Sequence, residues 1–118
     1  MAKKKASAQA KAREFNKKAR EEIYARDRGM CIFCRIGYNM DKATWLGKEI
    51  KSVMHYIPRS KNGMGIPQNG AVGCQYHHEM MDNGHEGHRE EMLGIFRDYL
   101  KEQYPDWNEE DLIYSKWN

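Results

Sequence analysis

The chain has 118 residues, the length of about one domain. With 40% apolar and 31% charged residues, three Trp, seven Tyr, three Phe and eight Met, it is polar yet carries enough bulk for a modest core, which excludes disordered, low-complexity and collagen-like classes. No run approaches the roughly 18 apolar residues that span a bilayer, and no apolar segment follows the N-terminal lysines, so a non-membrane, non-secreted, cytoplasmic protein is expected.

The formal net charge of +3 hides a strong asymmetry. Residues 1–30 hold ten Lys/Arg against four acids, and residues 1–78 hold 16 against 6. Residues 79–118 hold only 4 against 11. Positive potential concentrated on one part of a molecule finds its natural partner in a polyanion, although a solvated basic helix is the plainer explanation.

Residues 1–9 read as a disordered basic arm, since alanine is their one apolar anchor after Met1. From Gln9 to Ala25, Phe15, Ala19 and Ile23 recur at helical spacing, which predicts a basic amphipathic helix within 10–28, stopped by Gly29. Residues 30–48 predict a cysteine knuckle and then a loop. Glu49 to Ile57 predicts a strand packed through Ile50, Val53, Tyr56 and Ile57, closed by Pro58. A Gly-, Pro- and Asn-rich loop follows to residue 73, with Ala71 and Val72 as a returning strand. One helix is predicted from Cys74 to about Met81, ended by Asn83-Gly84. A second runs from His88 to Tyr104 with Met92, Ile95, Phe96, Tyr99 and Leu100 on one face. The tail from Trp107 to Trp117 is expected to pack back through its aromatics. The expected class is α+β.

Three cysteines argue against a pure disulfide framework, and their spacing says more. Cys31-x2-Cys34 and Cys74-x2-His77 are two short-spaced pairs of soft and borderline donors, the set that a tetrahedral Zn²⁺ takes. Cys74 and His77 lie within about 60° on a helix wheel, whereas His78 is turned by about 100° from His77. One histidine can therefore close a structural site while its neighbour faces elsewhere. So small a domain would profit from the cross-link.

His55-Tyr-Ile-Pro58-Arg-Ser60, the glycine-rich loop, Asn69, Cys74 and Tyr76-His77-His78 together resemble an HNH endonuclease, with the small phage-borne members most alike. Taken singly these residues are ordinary: a strand histidine, a turn asparagine, a surface histidine. Their joint order and spacing over roughly residues 26–82 carry the likeness. The resemblance implies a ββα-metal core, about residues 29–84, stapled by zinc and flanked by helices within a single domain over 10–118. It implies His55 as general base, Asn69 as the residue that aims it, and His78 as ligand of a catalytic divalent ion. Asp82, about 40° around the helix from His78, would be a hard-oxygen partner for Mg²⁺, Mn²⁺ or another divalent ion. Cys31, Cys34, Cys74 and His77 match the zinc ligands.

One position departs from the pattern. Where Asp or His commonly precedes the general base, this chain has Met54, a poor partner for a hard cation. The expected activity is metal-dependent DNA hydrolysis, with Lys11, Arg13, Lys17, Lys18, Arg20, Arg59 and Lys61 meeting phosphates. A phage setting would add genome packaging, terminase or packaging proteins as partners, and the host cytoplasm as location. Two other readings stay open: a zinc-stabilised DNA-binding module with weakened catalysis, and a packaging accessory that binds through its acidic C-terminal half.

Overall fold

A computed structural model describes residues 7–84 and 87–115 of the chain. Most of the predicted arm, and Trp117, lie outside the described residues. Helix α1 spans Ala8–Arg13, inside the segment assigned in part to the arm, and Ser7 caps it by accepting a hydrogen bond from the Ala10 amide.

The single basic helix expected over 10–28 is two. Glu14 leaves α1 in extended conformation, and Asn16 restarts the chain as N-cap of α2, Lys17–Asp27, accepting from the Ala19 amide. A local asparagine cap outcompetes continuation of the helix here. Phe15, freed from the helical stripe, turns its ring toward His55 instead. Ala19 and Ile23 are buried as the periodicity predicts. Helix α2 ends at left-handed Arg28 and Gly29.

Residues 30–48 are more helical than expected. A short α3, Ile32–Arg35, starts at Cys31, and α4, Trp45–Glu49, is capped by Thr44. Strand β1 is Lys51–His55, shorter than the predicted run, and Ile50 is 48% exposed rather than packed. Strand β2, Gly70–Cys74, is buried throughout and pairs antiparallel with β1, from Lys51 opposite Cys74 to His55 opposite Gly70. The loop between them contains short 3-10 turns at Arg59–Lys61 and Pro67–Asn69. Helix α5, Gln75–Asn83, leaves β2 directly, and left-handed Gly84 closes it. Helix α6 is His88–Gln103.

The core lies where the hairpin, α3, α5 and α6 meet, around Phe33, Met54, Met81, Met92, Phe96 and Leu100. The tail returns as expected. Trp107 donates from Nε1 to the Gln68 carbonyl at 2.7 Å and rests edge-on against Tyr56, while Leu112 is buried.

A second anchor is polar. Asp27, fully buried, takes hydrogen bonds from Arg26 Nε (2.7 Å), from the Val72 amide (2.8 Å) and from the Tyr99 hydroxyl. Arg26 also reaches the carbonyls of Pro67 and Gly70. This one pair ties α2 to β2, α6 and the inter-strand loop, and it satisfies every charge it buries. Among the described helices, none is long and apolar enough to cross a membrane.

Candidate functional site

Cys31, Cys34, Cys74 and His77 converge where α3 and α5 begin, with all four donor atoms within 4.8 Å of one another. His77 Nδ1 lies 3.6, 3.4 and 3.2 Å from the sulfurs of Cys31, Cys34 and Cys74, and Cys34 and Cys74 are 3.6 Å apart. Metal–sulfur and metal–nitrogen bonds of about 2.3 and 2.0 Å in a tetrahedron put neighbouring donors about 3.5–3.8 Å apart. The cluster therefore fits a metal ion, and its donor set and geometry are those of structural zinc. His77 Nε2 donates to the Tyr38 carbonyl at 2.6 Å. That bond fixes the proton on Nε2 and leaves the Nδ1 lone pair facing the sulfurs.

The three sulfurs also influence one another's ionisation. Cys74 hydrogen-bonds Cys31 and lowers the Cys31 thiol well below its ordinary value. Cys74 is raised in turn by that same bond and by burial, and Cys34 is raised by burial and by the Cys31 charge. A dication at this position would favour the thiolate at each sulfur.

His55 closes β1, and its surroundings come from the N-terminal segment. The Phe15 ring lies against its imidazole, with centroids 4.3 Å apart, and Nε2 is 2.8 Å from the Arg13 carbonyl oxygen. A carbonyl only accepts, so Nε2 carries the proton and Nδ1 is left as a base. Burial, joined by the charges of Arg59 and His78, lowers the His55 pKa despite the Arg13 bond, and this keeps the ring neutral near pH 7. A cavity of about 390 Å³ opens beside it, lined by Glu14, Phe15, Arg20, Ser52, Val53, His55 and Arg59. A larger cleft of about 590 Å³, between Asn39, Tyr76, Met80 and His88, contains none of the predicted site residues.

Asn69 is fully buried between the strands. Its Oδ1 accepts from the Ile57 amide at 2.8 Å, and its Nδ2 donates to the carbonyls of Ile57 and Met64 at 3.1 and 2.8 Å. It clamps the chain just beyond His55 to the start of β2. On α5, His78 Nε2 and Asp82 Oδ2 are 3.2 Å apart, and His78 Nδ1 is 3.2 Å from Ser52 Oγ. Both are donors that a divalent cation accepts, and at 3.2 Å they also stand at hydrogen-bonding distance from one another.

Met54 belongs elsewhere. It is fully buried in the core against Gly73, where a Cβ would meet Met54 Cγ and Cε at 2.6 Å. Alternation along β1 turns its side chain away from the face that carries His55. It packs; it does not stand in for a ligand.

No family model, curated protein or solved structure matches the chain.

Function is therefore read from the side chains themselves. Lys11, Lys17, Lys18, Arg20, Arg59 and Lys61 are exposed, with Arg20 and Arg59 on the His55 cavity. Arg59 is shared with Glu14 at 3.5 Å, and Lys17 pairs loosely with Glu21 at 3.9 Å. Arg13 is different: its guanidinium donates to the carbonyls of Gln9 and Arg59, stapling α1 to the loop after β1. Sequence reasoning missed Phe15, Ser52, Tyr38 and the Arg26–Asp27 pair as parts of this architecture. Each acts through a partner 26 to 78 positions away. His88, read from the sequence as a loop histidine, begins α6 and bonds Tyr38 and Asn39, and His85 lies outside the described residues.

Proposed function

We propose that the protein is a metal-dependent DNA endonuclease with a ββα-metal core of the HNH kind, hydrolysing phosphodiester bonds. The observation that carries the reading is His55, protonated on Nε2 by its bond to the Arg13 carbonyl and basic on Nδ1, and near enough to His78 for their charges to interact. The order β1, loop with Asn69, β2, α5 agrees with it.

In this reading a water oxygen attacks phosphorus as its proton passes to His55 Nδ1, and the P–O ester bond breaks on the opposite side. The leaving oxygen is protonated from solvent. A divalent cation held by His78 and Asp82 would supply charge stabilisation for the phosphate and the leaving oxygen. Asn69 holds the turn that keeps His55 in place. Arg20 and Arg59 would seat the phosphate, with Arg59 released from its exposed and therefore weak pairing to Glu14. Zinc at Cys31, Cys34, Cys74 and His77 ties α3 to the start of α5, which carries His78. The exposed lysines of α1 and α2 would follow the DNA backbone.

Burial of Met54 favours a second reading, a zinc-stabilised DNA-binding module with weakened catalysis, because it leaves His78 and Asp82 as the two side chains offered to that cation. Supercoiled plasmid incubated with Mg²⁺, Mn²⁺, Ni²⁺ or Zn²⁺, with EDTA as control, separates them. Metal-dependent nicking that disappears in His55→Ala supports the nuclease. Binding without nicking under every metal leaves the module.

A further inference from the structure

Three histidines of this fold have ring nitrogens held by hydrogen bonds, and the ties are not alike. His77 and His55 both give Nε2 to a backbone carbonyl, of Tyr38 and Arg13 respectively. Carbonyls accept only, so those two tautomers are fixed outright. His78 instead meets a hydroxyl, Ser52 Oγ, 3.2 Å from Nδ1. A hydroxyl rotates and can donate or accept.

Ser52 is exposed, lies opposite Gly73 in the hairpin and lines the cavity beside His55. The other nitrogen of His78, Nε2, faces Asp82 Oδ2 at 3.2 Å, and the side chain is 32% exposed, so packing alone does not set its rotation. A nitrogen that ligates a cation must present its lone pair, which puts the proton of a neutral ring on the other nitrogen. For Nε2 to join Asp82 on a cation, Nδ1 must donate, and Ser52 Oγ is placed to accept.

We infer that Ser52 is the positioning residue of the divalent-cation site, orienting His78 so that Nε2 and the Asp82 carboxylate share one ion. The inference rests on the reading of His78 and Asp82 as cation donors. With the ring proton on Nδ1 and directed at Ser52 Oγ, Nε2 would be free to join Asp82 on the ion.

The test is Mn²⁺ binding to the full-length, zinc-loaded protein, followed by the decrease of the free Mn²⁺ electron paramagnetic resonance signal. Wild type, Ser52→Ala, Ser52→Thr and His78→Ala are compared, with zinc content and melting temperature measured on each. Hydrogen-bond partners of a metal-ligating histidine are worth about 10–100-fold in metal affinity, so Ser52→Ala should weaken Mn²⁺ by that factor. Ser52→Thr, which keeps the hydroxyl and suits a strand, should bind like wild type, with zinc and melting unchanged throughout. Equal Mn²⁺ affinity in Ser52→Ala, with binding abolished in His78→Ala, overturns the role of Ser52 alone. If His78→Ala binds Mn²⁺ like wild type, the cation site itself is misplaced and the inference falls with it.

Discussion

Arg26 and Asp27, neighbours in sequence, form an ion pair in the interior, with Asp27 wholly buried and the Arg26 side chain only 10% exposed. Because both charges lie where α2, β2 and α6 meet, each needs the other. Removing one partner from a buried pair costs about 3–5 kcal/mol, since the survivor is stranded. Arg26→Ala should lower the melting temperature sharply. Tyr99→Phe, which removes one hydrogen bond to Asp27, should cost only about 1 kcal/mol. Denaturant titration of both variants checks the ranking.

The four-donor cluster predicts one tightly held zinc per chain. Apparent zinc-binding energies of about 10–16 kcal/mol exceed the stability of a small domain, so metal and fold should disappear together. Cys34→Ser should reduce zinc by elemental analysis and abolish cooperative melting. A Cys34→Ser protein that melts like its parent would show that the cluster does not stabilise the fold.

Met54 offers a test of core packing. Placing Asp there puts a carboxylate in the core with no partner, so Met54→Asp should unfold or severely destabilise the chain without gaining metal affinity. Met54→Leu should cost less than about 1.5 kcal/mol. Melting curves with and without Mn²⁺ decide it.

His55→Ala should retain fold and DNA binding while cleavage falls by about 10²–10⁴-fold. Equal losses of binding and cleavage would make His55 a packing residue instead. The pH profile carries a second expectation. Burial and nearby positive charge lower the His55 pKa, so the acid limb of cleavage should fall below the ordinary imidazole value of about 6.5. Arg59→Ala removes one of those charges and should move the limb upward. The same shift makes His55 favour the fold above pH about 6.5 and withdraw that contribution as pH falls, because the unfolded chain takes up the proton first.

Salt dependence separates the roles of the basic residues. Removing one lysine that neutralises a phosphate should reduce the slope of log affinity against log salt by about 0.9. Lys18→Ala and Lys11→Ala should do this with unchanged melting. Arg13→Ala should also loosen α1, because its guanidinium serves backbone carbonyls.

What was legible in the sequence follows from local rules. Cys31-x2-Cys34 and Cys74-x2-His77 could be paired on paper because short spacing fixes which atoms share a helix turn, and the observed cluster is that set. Strand β2 and helices α5 and α6 announced themselves by Gly, Asn and apolar periodicity. Phe15 did not, because its spacing from Ala19 and Ile23 is helical while Asn16 breaks the helix between them. Met54 stands at the motif position of a ligand yet packs in the core. A motif position says which neighbour a residue has, while the pleat decides which face it takes. Ser52 and Asp27 carry no pattern at all; their partners, His78 and Val72, are 26 and 45 residues on.

The bond from His55 to the Arg13 carbonyl has a consequence for how the molecule wears out. Helix α1 buries none of its residues and is held by a few directional bonds: Gln9 to Asn62, the Gly65 amide to Ala12, and Arg13 to Arg59. Segments of that kind open locally at much lower free energy than the core. Warming or a single proteolytic nick near Glu14 would detach α1 and strip His55 of its acceptor, while the cysteine cluster and the Phe96 core stay assembled. The histidine would then share its proton between both nitrogens, and any chemistry that needs Nδ1 as a base would weaken well before the protein melts.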